Sequence, residues 1–374
     1  MPASRTFSRS EREWLHVRSY LQEHRYDLAV DAAKEYPRAA KLADTPLLAA
    51  AEWRPASPIP LHRVSLTFQP AGPDQLAPDV YGRLGRALLP ERPDGSRYLR
   101  YSEAVRELAA PEVFENRRTY RLIRADLRSA NPQMNFTRGR YFDSIDVGEA
   151  AAYEYASMRL DGRSAGLRAL IANPCDLGRR PANLAITTMT LRHDRMRGTA
   201  QFLLHWRDPA KVGHAGGLYQ VIPVGIFQPS GEASNNEQND FSLWRCIIRE
   251  FAEELCGRSE DYGSEDRPID YPAWPFASRL TSALDDGQLR AWCLGLGTDP
   301  LTYATDLLVV VVLDSPVFDE LSSMAPRANA EGQLLAAEEF NAGVVERFAA
   351  HEPMQAAGAA TLQLAWRYRD QLLA

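Results

Sequence analysis

Three glutamates close together in the chain have the spacing that a divalent-cation site needs. In the segment DFSLWRCIIREFAEELCG, Glu250, Glu253 and Glu254 stand at i, i+3 and i+4, so an α-helix places their carboxylates on one stripe. Like charges at these spacings repel by about 0.3 kcal/mol per pair, a cost that a bound cation would reverse. Oxygen-only ligands favour Mg²⁺ or Mn²⁺ over zinc. The alternative is an ordinary exposed helix face, because glutamate is a common helix former.

The apolar residues of the same segment predict the helix that carries these glutamates. They recur at i, i+3, i+4, i+7 and i+11, which places them on one stripe of a helix with about 3.6 residues per turn. Asp240 and Ser242 are suitable N-terminal caps, so we expect the helix to begin near Phe241 and to bury one face against a sheet. The apolar residues are Trp244, Ile247, Ile248, Phe251 and Leu255.

Apolar and β-branched runs flank this helix on both sides. Strands are predicted at 184–193, 199–207 and 218–227 before it, and at 290–297 and 305–315 after it. Two helical stretches, 337–350 and 355–373, close the chain. Strands, helix, strands and helix in this order predict an α+β fold or mixed-sheet sandwich.

The first 181 residues predict a separate helical and mixed α+β region of unknown role. Helices are expected at 10–35 and 144–172, and the proline-rich stretch 45–78 is expected to surround a single strand. Residues 117–128 fit either a helix with an arginine face, at Arg117, Arg121, Arg124 and Arg128, or an alternating strand. Asn173-Pro174 breaks the preceding pattern, so we place the domain boundary between 181 and 182.

Composition limits the class of protein. A length of 374 residues favours two domains, and 45% hydrophobic with 25% charged residues is typical of a globular protein. The net charge of -6 argues against a protein that grips nucleic acid through its overall field. Four cysteines without CxxC spacing argue against zinc and redox centres. The longest aliphatic run has seven residues and the N-terminus lacks a secretory signal, so we expect a soluble, cytoplasmic protein without a membrane partner.

The acidic segment resembles a known family. Arg249-Glu250-Phe251-Ala252-Glu253-Glu254 is similar to the R-E-(apolar)-x-E-E core of the Nudix box, the signature of the Nudix hydrolases. The flanking strand and helix order, with a strand around Gly225 before the box, also resembles the family over residues 182–374. The resemblance implies a Nudix-like α/β/α sandwich with a mixed sheet.

The segment departs from the family pattern at both ends. Phe241 stands where the box has its first glutamate; Glu232, Glu237 or Asp240 in the longer loop could substitute for it, but none of them is in register. At the other end, two residues separate Glu254 from Gly257 instead of one, and Arg258 replaces an apolar residue.

The resemblance implies an activity and roles for individual residues. Glu250, Glu253 and Glu254 would hold Mg²⁺ or Mn²⁺ over a diphosphate, Glu253 and Glu254 would act in catalysis, and Arg249 would hold a neighbouring carboxylate in place. A distal glutamate often completes such sites; Glu331 is the candidate, with Glu338 behind it. The expected reaction is hydrolysis of a diphosphate linkage in a nucleoside diphosphate-linked small molecule. Nudix relatives are often dimers, so a homodimer is part of the expectation.

A second function stays open beside the hydrolase. Because the box is altered at both ends, the domain could have lost turnover and instead sense a nucleotide-like or phosphorylated metabolite. Similar domains occur fused to bacterial helix-turn-helix regulators, although no recognition helix stands out here, and nucleic acid is not the expected partner. Single residues are weaker candidates: we expect structural roles for His193, His205 and His214, and core packing rather than nucleobase stacking for Trp206, Tyr219 and Trp244.

Overall fold

The computed structural model describes residues 6–70, 85–111, 113–207, 217–259, 262–265, 267–322, 332–334 and 337–374. No helix in this part of the chain is long and apolar enough to cross a membrane. The glutamate candidate Glu331 and the histidine candidate His214 lie outside the described residues.

The N-terminal region begins with a helical layer. Residues 10–35 form two helices, Arg9–Glu23 and Arg25–Ala33; Ser8 and Glu11 cap the first one reciprocally. A helix at Tyr101–Leu108 packs beside a longer helical run that passes from Tyr141–Ser144 through a π-helix at Ile145–Glu149 to Ala150–Asp161. A short helix at Leu167–Ile171 follows. Trp14 lies 5.5 Å from Tyr101 and 5.6 Å from Tyr153, ring to ring, at the centre of this layer.

A small sheet completes the N-terminal region and decides the ambiguous segment. Its strands are β2 (Ser65–Phe68), β3 (Arg118–Asp126) and β4 (Gln133–Arg140), in the order β2-β4-β3. Residues 117–128 therefore form a strand, because Tyr120, Leu122 and Ala125 bury their side chains in the main core. The four arginines of this segment do not line a helix face.

A larger mixed sheet forms the centre of the molecule, and a second small sheet lies in the same half of the chain. Their strands are β1 (Ile59–Pro60), β5 (Leu184–Asp194), β6 (Thr199–Phe202), β7 (Leu204–Arg207), β8 (Tyr219–Val221), β9 (Val224–Ile226), β10 (Leu289–Thr298), β11 (Thr305–Asp314), β12 (Gly332–Leu334) and β13 (Glu338–Glu339). The larger sheet has the strand order β1-β10-β11-β5-β6-β13, and β9 pairs with β5 on the same edge as β6. In it β5 and β11 are parallel, whereas the remaining pairs are antiparallel. The small sheet has the order β12-β7-β8.

Helices cover both faces of this sheet. Every residue of β11 from Thr305 to Leu313 is buried, which a central strand achieves only when both faces are covered. One side carries the helix Ala356–Arg367 against β5, β10 and β11; helices Leu243–Glu250 and Pro275–Asp285 contact β5, β9 and β10. The predicted α+β class with a mixed sheet is confirmed. The other helices of this half are Ser234–Asn239, Ser315–Ser322, Ala342–Glu346 with a π-helix at Arg347–His351, and Arg369–Leu372.

Several predicted elements differ in detail. The expected strand 199–207 is broken at Leu203 into β6 and β7, and the expected strand 218–227 is divided at Ile222-Pro223 into β8 and β9. Proline has no N–H to donate to a ladder, which explains the second break. The helical prediction for 337–350 begins with the two residues of β13.

The main hydrophobic core contains side chains from both halves of the chain. Trp53, Tyr120 and Phe136 from the first half belong to the same buried cluster as Ile186 and Val310. The smaller, helical cluster in turn includes Leu301 and Tyr303 from the β10–β11 turn. The boundary between 181 and 182 stays a prediction.

Gly148 lies where the helical layer packs closely against the turn between β10 and β11. A Cβ atom on Gly148 would lie 2.2 Å from the carbonyl oxygen of Thr302, a backbone atom that cannot move aside without shifting the turn. We expect Gly148→Ala to lower the free energy of unfolding by about 1–3 kcal/mol, measured by urea denaturation. Gly85→Ala is the control, since no atom lies within 4 Å of its Cβ position. Equal stability of the two variants would contradict this packing.

The burial of Asp306 makes the stability of the protein depend on pH. It is 2% exposed; burial raises its pKa to about 6, and Thr187 donates to one oxygen at 2.8 Å. A raised folded-state pKa means that the folded protein binds the extra proton, so stability falls as pH rises from about 4 to 6. Relative to wild type, Asp306→Asn should gain about 2–3 kcal/mol over that interval. Urea denaturation at several pH values measures this. Asp319→Asn is the control: Arg192 lowers the pKa of Asp319, so that carboxyl changes stability only below about pH 4 and the difference between pH 4 and 6 should be flat; a flat difference for Asp306→Asn would contradict the prediction.

Candidate functional site

The predicted acidic helix is present and ends in a π-helix. Its α-helical part, Leu243–Glu250, begins after Ser242, whose hydroxyl accepts the N–H of Arg245, and continues as a π-helix over Phe251–Leu255. We call these thirteen residues the acidic helix. It ends at Gly257, which has a φ of 64°, and the N–H of Arg258 donates to the carbonyl of Ala252 at 3.0 Å. A glycine with positive φ is a common helix end, and here the closing bond joins residues six apart, one more than in a Schellman motif, because the last turn is a π-helix.

The π-helix changes where the glutamates point. Its i→i+5 hydrogen bonds widen the turn, so each residue rotates less around the axis than in an α-helix. The angles between the three glutamates about the helix axis therefore differ from those that the spacing of a regular α-helix predicts.

Glu250 and Glu254 both face strand β9. The carboxylate of Glu250 lies against the α-carbon of Gly225, since a Cβ atom there would be 1.9 Å from its carboxyl carbon. Only glycine leaves this space beside the strand. Glu254 accepts the backbone N–H of Val224 at 2.7 Å. The two carboxylates therefore lie along the same two residues of β9.

Glu253 has a different neighbour. The hydroxyl of Tyr262 donates to its Oε1 at 2.7 Å. Burial of Tyr262, together with the negative charge of Glu253, raises the pKa of the phenol, so Tyr262 remains a donor at neutral pH. The carboxylate of Glu253 is thus directed toward the segment that follows the acidic helix.

Arg249 is buried, and neighbouring groups balance its positive charge. It is 3% exposed, and it donates to the hydroxyl of Tyr271 and to the carbonyl of Gln228, each at 2.6 Å. The Tyr271 hydroxyl donates in turn to Asp240 at 2.9 Å, and Asp240 lies 3.7 Å from the guanidinium. Burial lowers the pKa of Arg249, but attraction by Tyr271, Cys246 and Asp240 outweighs it and leaves the pKa raised.

The three acidic residues of the loop before the acidic helix, Glu232, Glu237 and Asp240, have different partners. Asp240 is fully buried and also accepts both the N–H and the hydroxyl of Ser230, at 2.8 and 2.6 Å. Glu237 instead makes a two-pronged ion pair with Arg138 of β4, at 2.7 and 2.8 Å. Glu232 pairs with Arg118 at 3.2 Å and Arg140 at 3.0 Å. Asp240 is therefore the one beside Arg249.

Phe241, which stands where the family has a glutamate, packs into an aromatic cluster. Its ring lies 5.0 Å from Tyr120, 5.6 Å from Phe136 and 5.7 Å from Phe227. This cluster fastens the start of the acidic helix to the small N-terminal sheet.

The donor atoms are of the type that Mg²⁺ prefers, because all are carboxylate oxygens. In the part of the chain that the structure describes, however, no three His, Cys, Asp or Glu side chains converge on one point that could hold a metal ion. Glu250 and Glu254 lie along β9, Glu253 accepts the hydroxyl of Tyr262, and Glu331 lies outside the described residues. Metal binding by these residues stays a prediction.

The remaining candidates lie elsewhere. Glu338, in β13, pairs with Arg347 at 2.9 Å. His205 is buried in β7, and burial lowers the pKa of His193, next to Arg290. Trp244 donates from its indole to Thr281 at 3.3 Å, and Tyr219 packs on Phe348 at 5.3 Å. Trp244 and Tyr219 also pack against the main core, in agreement with the core-packing role expected for them.

Tyr262 and Tyr271 were not predicted from the sequence. They follow their partners Glu253 and Arg249 by 9 and 22 residues, in loops without periodicity, so no spacing rule links them. The only available signal was the short polar, aromatic segment after the acidic helix.

Comparison with known proteins adds little. No protein-family model matches the sequence, and a search of curated proteins finds no match. A search of solved structures finds a mutT/nudix family protein from Listeria innocua, with 17% identity and a TM-score of 0.28, covering 52% of this chain and 100% of that chain. A TM-score this low does not establish a common fold.

The Arg249 network predicts a difference between two acidic residues. Asp240→Asn leaves a buried guanidinium with a neutral neighbour and should lower the free energy of unfolding by about 3 kcal/mol. Glu237→Gln removes an ion pair whose arginine side chain is 61% exposed, and should cost at most about 1 kcal/mol. Urea denaturation measures both. Similar losses in the two variants would show that the buried network does not stabilise the acidic helix.

Proposed function

We propose that this protein is a Mg²⁺- or Mn²⁺-dependent hydrolase that cleaves a diphosphate linkage in a nucleoside diphosphate-linked small molecule. The observation that supports it best is the placement of Glu250 and Glu254 side by side along Val224 and Gly225. Two carboxylates of one helix that lie beside a glycine are the donors that a hard cation needs. The resemblance to the Nudix box supports the same chemistry.

The proposal gives each residue of the acidic helix a task. Glu250, Glu253 and Glu254 would be the metal ligands, and a bound Mg²⁺ would neutralise the diphosphate and lower the pKa of an attacking water. Glu253 would also accept a proton in the reaction, and its hydrogen bond from Tyr262 would fix its orientation. Arg249 is a positioning residue, because it is enclosed by Gln228, Asp240 and Tyr271. Glu331 remains the proposed distal glutamate.

A sensor that binds a phosphorylated metabolite without turnover is the second candidate. Two observations favour it: Glu253 and Glu254 already accept hydrogen bonds from protein groups, and the loop before the acidic helix is ion-paired to the N-terminal sheet. A ligand that displaced these carboxylates would therefore act on the contact between the loop and the N-terminal region.

Phosphate or monophosphate release separates the two candidates. A panel of nucleoside diphosphate derivatives is incubated with Mg²⁺ or Mn²⁺ and wild type, Glu253→Gln or Glu254→Gln. We expect at least a hundredfold loss of release in both variants, because each keeps the shape but loses a ligand charge. Glu320→Gln, on the helix Ser315–Ser322 and paired with Arg279, is the control and should keep wild-type activity. Absence of release from every compound, with one compound still bound, would favour the sensor.

Substitution of Gly225 tests the placement of Glu250 without changing any charge. The methyl group of Gly225→Ala would occupy the position of the Glu250 carboxylate, a flexible end that can move aside. We expect activity to fall at least tenfold while the urea midpoint changes little. A variant with unchanged activity would contradict the placement of Glu250 at the reacting centre.

A further inference from the structure

A row of side chains connects Glu253 to the surface beyond the acidic helix. Tyr262 donates to Glu253 at 2.7 Å, and its ring meets that of Trp274 edge-on at 5.5 Å. The Trp274 ring lies 5.7 Å from that of Phe276. Tyr262 and Trp274 are half-buried, so this aromatic row is open to solvent on one side.

Arg258 ends this row. The helix end at Gly257 turns the chain back, and the guanidinium of Arg258 lies over the rings of Trp274 and Phe276, 5.7 and 5.8 Å from their centroids. Its side chain is exposed, and within the described residues it makes no hydrogen bond or ion pair. Stacking on rings holds a guanidinium in place while leaving its N–H donors available.

We propose that Arg258 is an anion-binding residue that selects ligands carrying a phosphate group beyond the one held at the acidic helix. A guanidinium held over two rings presents paired donors that match phosphate oxygens. The exposed arginine follows Glu254 by four residues in the chain, and it carries the positive charge that a polyanionic ligand needs next to an acidic helix. The proposal rests on the proposed function, since it names the kind of phosphorylated compound that the same site would take.

The test uses inorganic triphosphate as the probe, with the full-length chain and Mg²⁺, in calorimetric titrations. We expect Arg258→Ala to weaken binding about tenfold, and Arg258→Lys to fall between it and wild type, because lysine keeps the charge but not the paired donors. Arg279→Ala is the matched control, an arginine on the next helix that pairs with Glu320; it should bind like wild type. Arg258→Ala with wild-type affinity, or no binding by wild type, would overturn the proposal.

Hydrolysis of the diphosphate panel by the same variants separates this proposal from the proposed function. Weakened triphosphate binding in Arg258→Ala without hydrolysis of any compound by wild type would support the anion site while removing the hydrolase. Hydrolysis by wild type with unchanged triphosphate affinity in Arg258→Ala would remove the anion site alone.

Discussion

The arrangement of the acidic helix depends on the burial of one charge. Arg249 is 3% exposed, and a guanidinium inside a protein is tolerated only when its charge and its donors are matched. Gln228, Asp240 and Tyr271 supply that match from three separate segments of the chain. Their combined geometry fixes the rotation of the helix about its axis. Glu250 and Glu254 face β9 because Arg249 must face inward.

The N-terminal region contributes to the same arrangement through the loop that enters the helix. Arg138 holds Glu237, while Arg118 and Arg140 hold Glu232. These ion pairs are partly exposed, so each contributes little on its own. The buried aromatic contacts of Phe241 with the small sheet contribute more, because they remove large apolar surfaces from water. The first half of the chain thus forms one wall of the segment that carries the candidate site.

The sequence predicted what depends on local pattern. The strands β5, β10 and β11 and the acidic helix followed from alternation, β-branched residues and helical spacing, to within a few residues. The strand at Arg118–Asp126 needed tertiary information, because its burial comes from contact with Phe227 and Phe241. Likewise, the sequence could not choose among Glu232, Glu237 and Asp240 as the substitute for the missing first glutamate of the box, since loop geometry decides which carboxylate lies beside Arg249. The π-helix at Phe251–Leu255 gives no sequence signal, and it changes the angular spacing of Glu253 and Glu254 about the helix axis.

The most direct test of this arrangement is whether the carboxylates of the acidic helix that face β9 hold a cation. Electron paramagnetic resonance titration measures free Mn²⁺ in the presence of wild type and Glu254→Gln, with Glu237→Gln as a control acidic residue outside the site. The account predicts that wild type and the control bind Mn²⁺ with the same affinity, and that Glu254→Gln binds it at least tenfold more weakly. Equal Mn²⁺ affinity in all three proteins would contradict it.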